Sequence, residues 1–350
     1  MQKLSFAALA LGCLMTLPVQ AVPVITADEW QSYLDAYVTE EGRVVDTANG
    51  NISHSESQGY GLILSALAEN RESFDRILGF TRSELLVRED GLAAWLWDPE
   101  KDPHVSDFNN ATDGDILIAY GLLMAGETWN EPGLVEEARA MVTTIGRTML
   151  VEADGLPAIR SGGTGFDGDD STGYLPVLNP SYWIFETFTA FRQLDPAIDW
   201  MAVSQTGLDI LRRASTTTAG IPGDWITLEN GGIAPAPNFP AEFGYNGIRI
   251  PLYLMRAGMD PAYLEPFRAK ASSAGLFKID LTSGEAIEPI DEPGYRLIQA
   301  AMECTATGRP VPEDLRRFAP TSYYAATLQL LMLDHLRRQR GSCLTGAATP

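Results

Sequence analysis

The sequence predicts an all-α fold organised as one domain. Apolar residues recur at three- and four-residue spacing, as in Ile116, Ala119, Tyr120, Leu123 and Met124, which is the period of an amphipathic helix. Strand-like alternation is scarce, and the connecting segments are rich in Gly, Pro, Asn and Asp. The pattern predicts eleven helices, which start near Asp28, Ser55, Glu72, Thr112, Gly133, Pro180, Ala197, Glu242, Pro261, Glu288 and Thr321.

Long loops separate several of these helices. The loops at 98–111, 161–179 and 219–241 are of a length that is usually functional when no regular structure fills it. No low-complexity linker or change of composition divides the 350 residues, so we expect a single domain over residues 22–350. Helix pairs arranged in a ring would place the long loops at one end, over a groove.

The first 21 residues have the features of a signal peptide. Lys3 precedes an apolar run over 4–17, and Val19-Gln20-Ala21 fits a cleavage pattern. No later stretch approaches the 18 apolar residues of a membrane span. We therefore expect a secreted or periplasmic protein. Export permits a disulfide between Cys304 and Cys343, and the sequence leaves open whether they pair.

The formal net charge of −21 restricts the partners of the protein. So acidic a surface repels nucleic acid and anionic lipid; it suits a neutral or cationic substrate, or serves solubility alone. Outside the predicted signal peptide, two cysteines and three scattered histidines do not predict a zinc site. The acidic segment 166–173, FDGDDSTG, predicts a solvated turn rather than a calcium site because it lacks the EF-hand pattern. No metal or cofactor is expected.

Residues 52–68, ISHSESQGYGLILSALA, open a predicted helix with a carboxylate. Ser53 and Glu56 have the spacing of a capping box, which is the structural explanation of the acid. Capping does not explain Gly59 and Gly61, which lower helix propensity. These glycines indicate close packing or access to a ligand, so a chemical role for Glu56 stays open.

A second acidic helix start lies in DFNNATDGDILIAYGLLMAGETW, residues 107–129. Thr112 could cap this helix, and Asp113 and Asp115 are of a type favoured in a first helical turn. Alternatively, the two acidic helix starts bring carboxylates together at one rim. Paired carboxylates that flank a bond are typical of glycoside hydrolysis.

Taken together, the two stretches resemble glycoside hydrolase family 8, which comprises bacterial endoglucanases, including those encoded with cellulose synthase, and related chitosanases and xylanases. The resemblance covers roughly residues 25–340 and implies an (α/α)6 barrel and hydrolysis with inversion at the anomeric carbon. It is carried by SHSESQGYG and ATDGDILIAYGLLMAG, and then in order by AAWLWDP, LNPSYWIFETF, GDWI and FGYNGIRIPLYLMRAG.

The resemblance also implies roles for individual residues. Glu56 matches the general acid, which must be protonated at working pH and so needs a raised pKa. Asp113 matches the residue that holds the sugar beside the scissile bond. Tyr182 and Arg249 match residues that line the cleft. Asn246 matches a position that is often Asp and acts as the general base, so this chain departs from the pattern there.

The departure at Asn246 leaves the general base unassigned, because an amide cannot accept a proton from water near neutral pH. Glu242 is the first candidate: Pro240 suggests a helix start that would place Glu242 one turn before Asn246. Glu242 could equally be an ordinary first-turn acid. The further candidates are Asp224, Glu229 and Asp113.

Four tryptophans could stack on sugar rings or pack in the core. They are Trp95, Trp97, Trp183 and Trp225, of which the first two are predicted to bind substrate.

These features predict an exported, monomeric endo-glucanase that cleaves β-1,4-linked polysaccharide. A functional association with a cellulose synthase system is implied by the resemblance. Two alternatives stay open. A chitosanase of the same family would suit the acidic surface, and a glucan-binding protein without turnover would explain Asn246.

Overall fold

Helices account for most of the regular structure. The computed structural model describes residues 24–168, 173–271 and 275–345; the predicted signal peptide and the centre of the acidic segment 166–173 lie outside these ranges. The described ranges contain the α-helices α1 Ala27–Tyr37, α2 Ser55–Leu67, α3 Arg71–Phe80, α4 Thr112–Thr128, α5 Pro132–Thr148, α6 Phe188–Leu194, α7 Trp200–Ala214, α8 Arg249–Arg256, α9 Glu265–Ala269, α10 Pro293–Thr307, α11 Tyr323–Gln339 and α12 Ser342–Thr345.

Short antiparallel strands fill several of the connections. Strand β1 pairs with β2, β3 with β4, β5 with β6, and β7, β8 and β9 form one sheet in that order. Their bounds are β1 Ser53–His54, β2 Leu96–Trp97, β3 Leu150–Ala153, β4 Leu156–Ile159, β5 Ile226–Glu229, β6 Gly232–Pro235, β7 Glu242–Phe243, β8 Leu276–Asp280 and β9 Ala286–Ile290.

Four of the predicted helix starts were wrong, because no α-helix begins there. Pro180 and Pro261 begin 3₁₀ turns, and Glu242 and Glu288 lie in β7 and β9. The apolar residues near Glu242 and Glu288 are held by cross-strand pairing, such as that of Phe243 with Ile279. Tertiary pairing has therefore overridden a helix-like local pattern.

Glycines allow α2 and α4 to approach closely. A Cβ at Gly59 would lie 2.5 Å from Leu117 Cβ, and one at Gly121 would lie 2.7 Å from Leu62 Cβ. At Gly114, a Cβ would overlap Ser55 Oγ and lie 2.8 Å from the Glu56 nitrogen. The close packing expected for Gly59 is therefore confirmed, and the first turns of α2 and α4 lie side by side.

Helices α2, α4, α8 and α11 point the same way. Residues of their first turns converge on one cleft or the groups beneath it: Glu56, Asp113, Arg249 and Tyr324. Residues near their other ends line a second cavity: Leu67, Met124, Arg256 and His335. The helix N-termini therefore gather at the end that carries the cleft.

The buried apolar side chains form one connected core that runs from Ile25 to Cys343. Trp183 and Trp200 are among its largest fully buried members. Cys304 of α10 and Cys343 of α12 form a disulfide, which ties the last described helix to the core and settles the pairing that the sequence left open.

Candidate active site

Glu56 stands in the first turn of α2 without being used to cap it. His54 and Ser57 form the capping box instead: His54 Nδ1 accepts from the Ser57 amide at 3.0 Å, and Ser57 Oγ accepts from the His54 amide at 3.1 Å. The predicted capping box of Ser53 and Glu56 was therefore wrong. The Glu56 side chain, 18% exposed, is available for another role.

A buried arginine joins the predicted site residues. Arg249 Nη1 donates to Glu56 Oε2 at 2.6 Å and to Asp113 Oδ2 at 2.9 Å. Its Nη2 donates to Ser181 Oγ at 2.7 Å and to Asn246 Oδ1 at 3.2 Å. The structure thus brings together the residues that the motifs singled out, and Arg249 lies beneath the cleft rather than on its surface.

Burial raises the pKa of Glu56 above its ordinary value. The carboxylates of Asp113 and Asp46 add to the rise, whereas the charges of Arg249 and His54 oppose it. Removing a carboxylate from water disfavours its charged form. A partly exposed carboxyl group that holds its proton more tightly than usual has the property that a general acid requires.

Asp113 and Asp115 have different surroundings although they share a helical turn. Asp113 is 2% exposed and also accepts from the Gly114 amide at 2.8 Å. Asp115 turns away, and its two oxygens accept from the Ala93 amide at 2.8 Å and from Asn110 Nδ2 at 2.7 Å. Burial raises the pKa of Asp115 to about 7. Asp113 thus faces the site, and Asp115 holds the loops behind it.

Asn246 is held between a cation and an anion. Its Oδ1 accepts from Arg249, and its Nδ2 lies 3.4 Å from Asp224 Oδ2. Asp224 also accepts from the amides of Gly244 and Gly247 at 2.8 and 2.9 Å. Burial raises the pKa of Asp224. The contacts fix the orientation of the Asn246 amide, with its oxygen toward Arg249.

Glu242 does not occupy the position that was predicted for it. It belongs to β7 and pairs with Lys278 Nζ at 3.1 Å, and the next helix begins only at Arg249. Glu242 and Asn246 therefore do not lie one turn apart on a helix face. Glu229 is exposed at the end of β5.

The cleft above Arg249 has a volume of about 510 Å³, and Glu56 and Asn246 line it. Sequence reasoning missed three tyrosines of its wall, Tyr245, Tyr295 and Tyr324. Tyr245 is 46% exposed. The centroid of its ring lies 5.9 Å from that of Tyr295, and the ring centroids of Tyr295 and Tyr324 are 6.1 Å apart. Only the position of Tyr245 beside Asn246 could have signalled this group, because the other two tyrosines lie far along the chain.

The candidate aromatic residues separate into three environments. Trp183 is buried and donates to the Val203 carbonyl at 2.7 Å, so it belongs to the core. Trp97 donates to Glu84 at 3.1 Å and lines a cavity that contains neither Glu56 nor Asn246. The structure does not bring Trp97 into the cleft.

Trp95 and Trp225 lie closer to the catalytic candidates. The Trp95 carbonyl accepts from the Ser55 amide at 3.0 Å, and its indole donates to Asp107 at 2.8 Å. Trp225 stacks on Phe239 at 4.7 Å between ring centroids. The ring centroids of Trp225 and Tyr182 are 6.4 Å apart. Tyr182 is buried next to Arg249, whose Cζ lies 5.8 Å from the centroid of the tyrosine ring.

Comparison with known proteins places this geometry in a family. The model of glycosyl hydrolases family 8 matches residues 1–291. The chain belongs to this family. It is 32% identical over 258 residues to an endoglucanase of Cellulomonas uda, a match that covers 73% of this chain and 71% of the relative.

Solved structures agree with this family assignment. The endo-β-1,4-glucanase CMCax from Acetobacter xylinum is 31% identical, with a TM-score of 0.79, and the match covers 90% of this chain and 98% of that one. Endoglucanase Cel10, a family 8 glycosyl hydrolase from Klebsiella pneumoniae, is 29% identical with the same TM-score, and the match covers 90% and 99%. The predicted (α/α)6 barrel and the glycoside hydrolase class are confirmed.

The described residues were also compared with the requirements of a metal site and of a membrane-spanning helix. No group of three or more His, Cys, Asp or Glu side chains in the described ranges is arranged to hold a metal ion. None of the described helices is long and apolar enough to cross a membrane.

Proposed function

We propose that this glycoside hydrolase cleaves internal β-1,4 bonds of a cellulose-type glucan, with Glu56 as the general acid. The observation that carries the proposal is the environment of Glu56. Its carboxyl group lines an open cleft, and burial raises its pKa. The names of the similar proteins, endoglucanase and endo-β-1,4-glucanase, support the substrate class.

In the proposed step, Glu56 donates its proton to the glycosidic oxygen as the bond from that oxygen to the anomeric carbon breaks. A water molecule attacks the anomeric carbon from the opposite face and loses a proton to a base, so the configuration inverts. Arg249 fixes the positions of Glu56 and Asp113 by contacting both carboxylates. Asp113 holds the sugar beside the scissile bond.

The tyrosines of the cleft wall are proposed to bind neighbouring sugar units. An exposed ring such as Tyr245, supported from behind by Tyr295, offers a flat apolar face and a polar edge. Trp95 and Trp225 are proposed as further stacking residues. Several such contacts along an open cleft would favour cleavage within a chain.

A second candidate substrate is the cationic polymer chitosan. Three carboxylates line the cleft, those of Asp46, Glu56 and Glu292, while no Lys or Arg side chain of the described residues lines it. Amino groups on the sugar would be attracted by this charge. A glucan-binding protein without turnover is less well supported, because the site retains Glu56 and Asp113.

Export is proposed from the leader-like residues 1–21, and the disulfide between Cys304 and Cys343 suits an oxidising compartment. A monomeric state and an association with a cellulose synthase system are also proposed. The latter follows from the family resemblance alone.

The deciding experiment measures the release of reducing ends from carboxymethylcellulose and from chitosan by the purified mature chain. We expect faster release from carboxymethylcellulose, with a rapid fall in viscosity that marks internal cleavage. Faster release from chitosan would support the second candidate. Binding of either polymer without release would show a protein that has lost turnover.

A further inference from the structure

The site lacks an obvious partner for Glu56. Inverting hydrolysis uses two carboxyl groups about 6.5–9.5 Å apart, one as acid and one as base. Glu56 Oε2 and Asp113 Oδ2 lie 2.6 and 2.9 Å from the same nitrogen of Arg249. The two oxygens are therefore closer together than an inverting pair requires. Asp113 is also 2% exposed and is not among the described residues that line the cleft.

The other candidates near Asn246 are equally unsuited to act as base. Asp224 is buried, and its carboxylate accepts hydrogen bonds from the backbone amides of Gly244, Asn246 and Gly247. Glu242 is ion-paired with Lys278. Neither carboxylate is among the described residues that line the cleft, where the only carboxylates besides Glu56 are those of Asp46 and Glu292.

Asp46 lies on the same side of the cleft as the acid. Its Oδ2 is 3.4 Å from Nε2 of His54, and His54 is the N-cap of the helix that carries Glu56. Its Oδ1 accepts from the Ala48 amide at 3.2 Å. A base must stand across the sugar from the acid, so this position does not suit Asp46.

Glu292 lies on the wall that carries Asn246. It is the N-cap of α10, and Tyr295 in the first turn of that helix contacts Tyr245, the neighbour of Asn246. The hydroxyl of Tyr324 in α11 donates to the Tyr245 carbonyl at 3.0 Å. These contacts join the N-terminal ends of α10 and α11 to the turn that holds Asn246.

The Glu292 carboxylate is also held in a fixed orientation. It accepts from the Ser322 amide at 3.0 Å and from Ser322 Oγ at 2.9 Å. A carboxylate has about four lone-pair positions, so these bonds leave acceptor capacity toward the cleft. Glu292 is half-buried, lines the cleft and is oriented by α11, so its remaining lone pairs are available to a water molecule in the cleft.

We propose that Glu292 is the general base of this enzyme. It takes a proton from the attacking water as the oxygen of that water bonds to the anomeric carbon, while the departing sugar oxygen receives the proton of Glu56. The Oδ1 of Asn246 accepts the second hydrogen of the water and orients it. This assignment rests on the proposed hydrolase function.

The test compares Glu292→Gln with Asp46→Asn on cellotetraose, with and without sodium azide. Azide attacks the anomeric carbon without needing a base. For Glu292→Gln we expect turnover to fall about a hundredfold or more and to be restored by azide, with a glycosyl azide of inverted configuration as product. Asp46→Asn should lose less activity, and azide should not restore it.

Two further variants separate catalysis from folding, because Glu292 also bonds to Ser322. Glu292→Asp keeps a carboxylate, so it should retain partial turnover that azide does not change. Ser322→Ala keeps the Glu292 carboxylate, which repels the azide anion, so turnover should weaken without azide rescue. If Glu292→Gln does not fold, turnover by Glu292→Asp that equals or exceeds wild type would overturn the assignment, because a shortened base should be impaired.

Several results would contradict the assignment. These are wild-type turnover in Glu292→Gln or rescue of Asp46→Asn instead. When chitosan is assayed as well, a loss confined to that polymer would make Glu292 a binding group for amines. Failure of the proposed function is recognised separately, because the wild-type protein would then release no reducing ends from either polymer.

Discussion

Arg249 Nη1 lies 2.6 Å from Glu56 Oε2, and the same nitrogen contacts Asp113. The proposed acid is therefore ion-paired with Arg249, yet burial still raises its pKa. A sugar bound over Glu56 would remove further water and raise the pKa again. The contact with Arg249 fixes the position of Glu56. The further rise of its pKa on substrate binding then favours the protonated form that a general acid needs.

Glu56→Gln is expected to lower turnover about a hundredfold or more, because an amide cannot donate an acidic proton to the leaving oxygen. Hydrolysis of carboxymethylcellulose by the two proteins measures the effect, and circular dichroism confirms the fold. Because Glu56 does not form the cap of α2, the melting temperature should change little. Wild-type turnover would exclude Glu56 as the acid.

Gly114→Ala is expected to impair catalysis by moving Glu56, because the new Cβ would overlap Ser55 Oγ and approach the Glu56 nitrogen. We expect a loss of turnover together with a lower free energy of unfolding, about 1–3 kcal/mol for overpacking. The matched control is Gly79→Ala in α3, where a Cβ meets no atom within 4 Å. Equal behaviour of the two variants would disprove the proposed close contact.

Asp115 should make stability depend on pH. Its pKa is raised from 3.8 to about 7, so the folded state holds this proton more tightly than the unfolded state does. The resulting stabilisation is full below pH 3.8 and is lost as the pH rises toward 7. Asp115→Asn should therefore be more destabilising at pH 4.5 than at pH 7.5.

Urea denaturation of both proteins at the two pH values measures this difference, and the exposed Asp28→Asn serves as control. A destabilisation by Asp115→Asn that is the same at both pH values would mean that Asp115 does not titrate in this range.

Asn246→Asp should place a carboxylate against Asp224, because the Asn246 amide now lies 3.4 Å from Asp224 Oδ2. We expect the variant to be less stable than wild type, and more so at pH 7 than at pH 5, where protonation relieves the repulsion. Exchanging the pair, with Asp224→Asn and Asn246→Asp together, should recover part of the loss. Thermal denaturation at both pH values provides the measurement.

The disulfide between Cys304 and Cys343 should matter for stability and not for catalysis. Replacing both residues by Ala is expected to lower the free energy of unfolding by about 3 kcal/mol. The bond lies near the C-terminal end of α10, a 15-residue helix whose first turn faces the cleft, so turnover should be preserved. A large fall in turnover of the folded variant would contradict this separation.

The strongly periodic segments could be predicted from the sequence, and the short strands could not. Helices such as α2 and α4 carry their apolar pattern over many residues, whereas β7 has two, too few for alternation to be recognised. At Glu242 the preceding Pro240 favoured a helix start. Pairing of Phe243 with Ile279, far along the chain, decided the structure instead.

The residues of the candidate site likewise differ in whether the sequence could predict them. Glu56 and Asp113 belong to recognisable motifs, and Arg249 and Asn246 share a third. Glu292 had no such signal, because its approach to Asn246 depends on how α10 packs beside the turn before α8. Residues that a fold brings together from distant segments become visible only when that packing is known.

The common direction of α2, α4, α8 and α11 has an electrical consequence. Each helix macrodipole places roughly half a positive charge at its N-terminus, so four such ends converge beneath a cleft that holds several carboxylates. They offset part of the mutual repulsion of those acids. The opposite ends carry the negative poles, where Arg256 stands in the last turn of α8. The barrel is thus polarised along its axis, with the acidic cleft at the pole that stabilises anions.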